Sequence, residues 1–160
     1  MNNIKSNIDA LTLTTSQATC LRQIEDRLGY PGVVNLFGLH GVGKTFLGWF
    51  MEKSGGVAYV VHPSLVEKMI FSENSVVFVD NSEPNRIEFR RLLGILESRN
   101  LERIIVVTHD PVDDYVMRIE LKLSEEDIRV VLQNLKCLGY LTIDNSWKNL
   151  WDGLIRLARD

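Results

Sequence analysis

The sequence has little of what marks several large protein classes. Among its 160 residues there are two cysteines, Cys20 and Cys137. Neither lies in a C-x-x-C pair or near a histidine at metal-ligand spacing, which excludes a disulfide-rich or zinc-ribbon scaffold and predicts reduced thiols in a cytoplasmic protein. Long hydrophobic runs are missing: stretches such as Val76–Val79 and Ile104–Val107 fall far short of the ~20 apolar residues a bilayer span needs, so no membrane partner is expected. The opening MNNIKSNIDA has no apolar h-region and no cleavage-site pattern, so no secretory signal is expected. Nor is there an excess of one charge. Eighteen Lys and Arg against 21 Asp and Glu leave a net charge of −3, which excludes a strongly basic nucleic-acid wrapper and a disordered charged tail. Internal repeats and low-complexity blocks are also absent.

What is present is an alternation of short apolar runs with amphipathic stretches, the pattern of a parallel sheet covered on both faces. Residues 1–15 are polar and Thr-rich and read as an arm or loop. Thr15 or Ser16 reads as an N-cap, with Ala18, Leu21, Ile24 and Leu28 at helical spacing behind it and Gly29 as the stop. Strands are predicted at 33–37, 57–61, 76–79, 103–108 and 119–123. Helices are predicted at about 44–53, 64–71 and 85–98, the last with Ile87, Leu92, Leu93 and Leu96 inward. Ser124, with Asp127 three residues on, opens a further helix ended by Gly139. Tyr140–Ile143 reads as extended, and Ser146 as the cap of a last helix carrying Trp147, Leu150, Trp151 and Leu154 on one stripe. That stripe is either core or a docking face for a partner.

Between the first strand and its helix, Gly38-Leu39-His40-Gly41-Val42-Gly43-Lys44-Thr45 fits G-x-x-x-x-G-K-[ST] at every fixed position. The glycines let the backbone turn its N–H groups toward an anion, and the helix N-terminus behind them adds a favourable dipole. Lys44 would bridge β- and γ-phosphate oxygens, and the Thr45 hydroxyl would ligate Mg²⁺. The loop from Gly38 to Phe46, including His40, Gly41, Val42 and Gly43, is the predicted nucleotide-binding segment, with His40 at its surface.

Val76–Val79 ends in Asp80, a second carrier of Mg²⁺ at the tip of an apolar strand. The next residue is Asn81, and an amide is not a base. Either another carboxylate polarises the attacking water, Glu83 being the nearest, or hydrolysis is slow or regulated. The fourth strand ends in Thr108-His109-Asp110. If it lies between the phosphate-loop strand and the Asp80 strand, Thr108 and His109 are placed to sense a γ-phosphate in the crevice at the strand ends. The Asp-rich turn from Asp110 to Asp114 matches no metal-ligand spacing.

These motifs carry a resemblance. VNLFGLHGVGKTFL (34–47) and RIIVVTHDPVDDYVMRIELKLSEEDIRVVL (103–132) resemble, in the same order, the STAND-type P-loop ATPases of the NB-ARC group. The Leu123-Ser124-Glu125-Glu126-Asp127 step is similar to the sheet-to-lid junction of AAA+ proteins. The resemblance implies an α/β, three-layer P-loop NTPase with a five-stranded parallel sheet ordered 5-1-4-3-2. It implies a core at 1–123, counting 1–15 as its N-terminal arm, and a short helical lid-like segment at 124–160. It also implies ATP or ADP with Mg²⁺ as ligands, and a nucleotide-driven change of assembly. Gly38, Gly43, Lys44, Thr45, Asp80 and Thr108 carry over. His109 stands where the family usually has Arg, and Asn81 departs from the acidic residue of active hydrolases. Asp113-Asp114-Tyr115 occupies the region of the arginine that acts on a neighbour's ATP, with Arg118 near but out of place, so a ring with trans-acting arginine fingers is not expected.

Arg86, Arg90, Arg91, Arg99 and Arg103 cluster around the helix after Asp80, interleaved with Glu88, Glu97 and Glu102. This reads as a solvated face, and any contact with nucleic acid is expected to be indirect. The functional expectation is an ATP- and Mg-binding switch or assembly subunit with protein partners. Two alternatives stand beside it. One is a small-molecule or nucleotide kinase, against which no Arg lies between Lys44 and Asp80 to clamp an acceptor. The other is a nucleotide-free scaffold in a defence or DNA-transaction complex, against which the Gly43-Lys44-Thr45 motif is intact. No N/T-K-x-D guanine reader is present, which favours adenine.

Overall fold

The structure, a computed structural model, describes residues 2–26, 32–72, 75–83, 85–112 and 117–139. Its centre is a parallel sheet of β1 (Gly32–Phe37), β2 (Ala58–Val60), β3 (Val76–Val79), β4 (Arg103–Thr108) and β5 (Met117–Glu120), in the order β2-β3-β4-β1-β5. This is the predicted order. β4 therefore lies between the strand that feeds the glycine-rich loop and the strand that ends at Asp80, with Val34 opposite Ile105 and Phe78 opposite Ile105 on its other side.

The two-residue period of the strands sorts the core into two faces. Val76, Phe78, Ile105 and Val107 pack with Cys20 and Ile24 of α2 (Thr15–Glu25) and Leu47 and Met51 of α3 (Lys44–Lys53). Val77, Val79, Ile104 and Val106 pack with Leu92 and Ile95 of α4 (Arg86–Ser98) and with Val66 of the 3₁₀ turn Pro63–Lys68. Strands apolar on both faces are what a sheet covered by helices on both sides requires.

Several local expectations change. The segment 1–15 is not a plain arm: α1 (Asn2–Ser6) and a 3₁₀ turn Ile8–Ala10 bring Ile8 and Leu11 into buried positions. Thr14, not Thr15 or Ser16, caps α2, in a reciprocal box with Gln17. That helix ends at Glu25, and Leu28 and Gly29 lie outside the described residues. The helix expected at 64–71 is the 3₁₀ turn, capped by His62. β5 runs from Met117 to Glu120 instead of 119–123. On α4, Ile87 is 84% exposed while Phe89, Leu92 and Ile95 are buried, so the buried stripe begins at Phe89 and not at Ile87. The arginines are not all a solvated face. Arg103 is buried, and Arg99 donates to the carbonyls of Val66, Glu67 and Met69, tying α4 to the 3₁₀ turn. Tyr140–Ile143 and the Trp147/Trp151 stripe lie outside the described residues, as do Asp113, Asp114 and Tyr115.

α5 (Glu125–Cys137) is fastened to the start of the chain. Asp127 closes the capping box with Ser124, as its spacing predicts. It also accepts from the Ser16 amide at 3.0 Å and the Ser16 hydroxyl at 2.6 Å, so one carboxylate caps two helices. Asn134 adds a two-way bond to the backbone of Thr12. Burial alone would raise the Asp127 pKa, but the donors of Ser16 and Ser124 outweigh it and hold the carboxyl at about 2. The folded-state pKa is depressed, so this stabilisation is present above the ordinary carboxylate range and is lost as pH falls through about 2. Asp127→Ala is expected to cost about 2 kcal/mol in urea unfolding at pH 7. The difference from wild type should shrink as the pH is lowered from 4 toward 2, in a pH series of urea midpoints.

The two thiols differ. Cys20 is buried between α2 and β5, and burial, followed by the Asp127 charge, pushes its pKa up to about 11. Cys137 is exposed at the end of α5. A thiol reagent at pH 8 is therefore expected to label Cys137 in the native protein and Cys20 only after unfolding, as peptide mapping would show.

Candidate functional site

The loop after β1 turns through three glycines with positive φ: Gly38 at 153°, Gly41 at 77° and Gly43 at 95°. Gly38 is required for space as well as for conformation. A Cβ there would lie 2.3 Å from the Leu121 carbonyl oxygen, in the segment that follows β5. Gly43 is the left-handed N-cap of α3 and offers no side chain to cap the helix. The first amides of α3 are left for another acceptor, the arrangement that makes a helix start an anion site.

Lys44 is half-buried at the first position of α3, and burial lowers its pKa. Its ammonium donates to the carbonyls of Gly38 at 2.5 Å and Leu39 at 2.8 Å, so it folds back over its own loop. Thr45 follows, and its hydroxyl donates to Asp80 Oδ2 at 2.7 Å. Residues 35 positions apart in sequence thus meet at the end of the sheet. Asp80 is 3% exposed. Its Oδ2 also accepts from the Tyr59 hydroxyl at 2.7 Å, and its Oδ1 from the Asn81 amide at 2.9 Å. A buried carboxylate beside a hydroxyl is a set of hard oxygen donors, and it fits Mg²⁺.

These groups line one cleft. Its polar end holds His40, Gly41, Gly43, Lys44, Thr45, Phe46 and Asp80, with Thr108 and His109 at the strand tips. Its apolar end is walled by Ile4 and Leu11 from the N-terminal segment and Val131 and Leu138 from the α5 region. Val42, expected with the loop, turns its side chain into the core instead, so only its backbone is available to a ligand.

Thr108 and His109 separate in role. Thr108 is buried, accepts from Asn35 Nδ2 at 2.8 Å and donates to the Asp110 carbonyl at 2.5 Å, so its hydroxyl organises the turn that follows β4. His109 reaches the cleft, its ring 4.7 Å from that of His40 and its Nδ1 3.3 Å from Asp110. Glu83 is not brought in. It is exposed, accepts from Asn85, and is absent from the cleft lining among the described residues.

Asn81 has a structural reason for being asparagine. Its φ is 52°, a left-handed backbone that Asn tolerates far better than Glu. Its side-chain amide donates to the Val61 carbonyl at 2.9 Å, clamping the residue after Asp80 to the end of β2. Sequence reasoning missed Tyr59, Leu11, Ile4 and Val131. None belongs to a spaced motif: Ile4, Leu11 and Val131 reach the cleft through tertiary packing, and Tyr59 reaches the site through its bond to Asp80.

A parallel 2-3-4-1-5 sheet with a G-x-x-x-x-G-K-T loop after β1 and a carboxylate at the tip of β3 is the fold of the P-loop NTPases. Solved structures agree on that fold. The chain is similar to DnaA from Aquifex aeolicus bound to AMPPCP, with TM-score 0.58 and 16% identity over 95% of this chain and 64% of that one. It is similar to the replication initiator DnaA bound to AMPPCP and single-stranded DNA, with TM-score 0.61 and 15% identity over 95% and 63%. It is similar to the Thermotoga maritima RuvB Holliday junction branch migration motor, with TM-score 0.52 and 13% identity over 81% and 52%. The chain thus spans less than two thirds of the length of each of these three. No protein-family model and no curated protein matches the sequence. Among the described residues, no helix is long and apolar enough to cross a membrane.

Proposed function

We propose that this chain is an ATP- and Mg-binding P-loop ATPase module that acts as a nucleotide-dependent switch or assembly subunit with slow or regulated hydrolysis. One observation carries the reading. Lys44, Thr45 and Asp80 converge on a single cleft at the end of the sheet, with Thr45 and Asp80 within 2.7 Å of each other.

The geometry supports a division of labour. The amides of the loop and of the α3 N-terminus cradle phosphate oxygens. The Lys44 ammonium leaves the Gly38 and Leu39 carbonyls for the β- and γ-phosphates, a charge-assisted exchange. Thr45 and Asp80 hold Mg²⁺, which supplies charge neutralisation to the phosphates when bound. The apolar walls at Ile4, Leu11, Val131 and Leu138 are built for the flat face of a purine. They join the N-terminal segment and α5 across the bound base, which is how occupancy would be passed to a partner surface.

Slow turnover follows from the residues around the phosphate end. Asp80 is the only carboxylate lining the cleft among the described residues, and it is committed to the cation. Asn81 is clamped to Val61 and is not a base. With no carboxylate base beside Asp80 among the described lining residues, a factor of the order of 10²–10⁴ in rate is forgone. The absence of an arginine among the described lining residues points the same way.

Isothermal titration of the full chain with ATP and with ADP, each with Mg²⁺ and with EDTA, tests the reading. Micromolar binding that tightens with Mg²⁺, together with slow phosphate release, is the expected result. Absence of binding under all four conditions would leave a scaffold, and transfer of labelled phosphate to a small acceptor would leave a kinase.

A further inference from the structure

Asp80 is held from a direction that the loop motif does not explain. Tyr59, the middle residue of the edge strand β2, donates its hydroxyl to Asp80 Oδ2 at 2.7 Å, the same oxygen that accepts from Thr45. The Tyr59 ring is held by three neighbours. It stacks on Phe78 at 5.9 Å, meets Trp49 edge-on at 6.3 Å, and carries the Lys5 ammonium 5.1 Å from its centroid. Lys5 is in turn paired with Glu52 at 2.8 Å. Burial and the neighbouring Asp80 push the Tyr59 pKa far up, so the hydroxyl stays a donor.

We propose that Tyr59 is a positioning residue for the cation-binding carboxylate of this site. The inference rests on the Mg-nucleotide reading above and deepens it. Thr45 can offer an oxygen lone pair to a cation while its hydrogen stays on Asp80 Oδ2. The Asn81 amide orients Oδ1. Tyr59 is the second donor on Oδ2 among the described residues, and it holds that oxygen from the β2 side while Thr45 holds it from the loop side. Outer partners of ligating carboxylates typically account for 10–100-fold in metal affinity. The contact also ties the carboxylate to the N-terminal segment. Lys5 lies on α1 and Ile4 of the same helix lines the cleft, so an occupied cation site bears on the element that walls the base end.

Tyr59→Phe removes the hydroxyl and keeps the ring stack. The test is ATP titration of wild type and variant, with Mg²⁺ and with EDTA, alongside Mn²⁺ electron paramagnetic resonance to count and rank bound cation in the presence of ATP. The expected result is ATP affinity in EDTA within about twofold of wild type, and about a tenfold loss of the tightening that Mg²⁺ produces. Mn²⁺ binding should weaken in parallel. Lys5→Met, which leaves the hydroxyl in place, should give a loss of about two- to threefold in the same cation-dependent tightening. A Tyr59→Phe protein with wild-type cation dependence overturns the positioning role. Equal loss with and without Mg²⁺ also overturns it, because that is the signature of a merely structural residue. Failure of wild type to bind ATP under any condition would instead sink the functional reading on which the inference rests.

Discussion

Lys44→Ala is expected to weaken ATP binding by about 100-fold or more and to leave the fold intact. The ammonium is the only Lys or Arg charge lining the cleft among the described residues, so a triphosphate loses its principal counter-charge when it is removed. Charge-assisted hydrogen bonds in a half-buried site are each worth roughly 1.5–3 kcal/mol, and 2.7 kcal/mol corresponds to about 100-fold. Burial already lowers the Lys44 pKa, which marks the ammonium as imperfectly solvated and ready to gain from an anion. Stability should change little. The bonds Lys44 makes are to two carbonyls of its own loop, and both carbonyls can be hydrated in the variant. Titration calorimetry and a thermal melt measured on the same sample separate the two effects. Lys44→Arg should recover only part of the affinity, since a planar guanidinium cannot occupy the compact position of an ammonium under the loop. Equal ATP affinity in Lys44→Ala and wild type would mean that the loop is not the phosphate site.

The parts of this fold that were legible in the sequence are those whose physics is local. Apolar runs bounded by turn residues gave all five strands, and the resemblance supplied their order. The loop motif is legible because phosphate geometry demands glycines and a lysine at fixed spacing. Ser124 and Asp127 were readable as a cap, but the bond from Asp127 to Ser16, across 111 positions, was not. The burial of Ile8 and Leu11 was missed because a single turn with two apolar residues has no measurable period. Ile87 misled for the opposite reason: it continues the helical pattern of α4 but sits exposed in the first turn. Asn81 read as a missing base, and its left-handed backbone supplies a reason for asparagine that no spacing rule carries. The role of Tyr59 is invisible because an aromatic residue in an apolar strand reads as core packing.

Gly48 offers the sharpest test of how the phosphate loop and the Asp80 strand are held together. It is buried in α3, and a Cβ built on it would lie 2.5 Å from a ring carbon of Phe78 in β3. Gly48 is one helical turn after Thr45, and Phe78 is two residues before Asp80 on the same face of the sheet. The missing side chain lets α3 approach β3, and the same approach brings the Thr45 hydroxyl to within 2.7 Å of Asp80. Phe78 has no room to yield, being wholly buried and stacked on Tyr59. Gly48→Ala is therefore expected to destabilise the protein by about 3 kcal/mol, even though alanine favours a helix by about 1 kcal/mol over glycine. The control is Gly94, also helical, exposed, and with nothing within 4 Å of its would-be Cβ. Gly94→Ala should stabilise by about 0.5–1 kcal/mol. Urea unfolding of both variants would show opposite signs from the same chemical change. The cation-dependent part of ATP binding should fall about tenfold in Gly48→Ala and stay unchanged in Gly94→Ala, because only the first pushes Thr45 away from Asp80. Stabilisation by both alanines would mean that α3 can slide on β3, and that the closeness of Thr45 to Asp80 is not set by this contact.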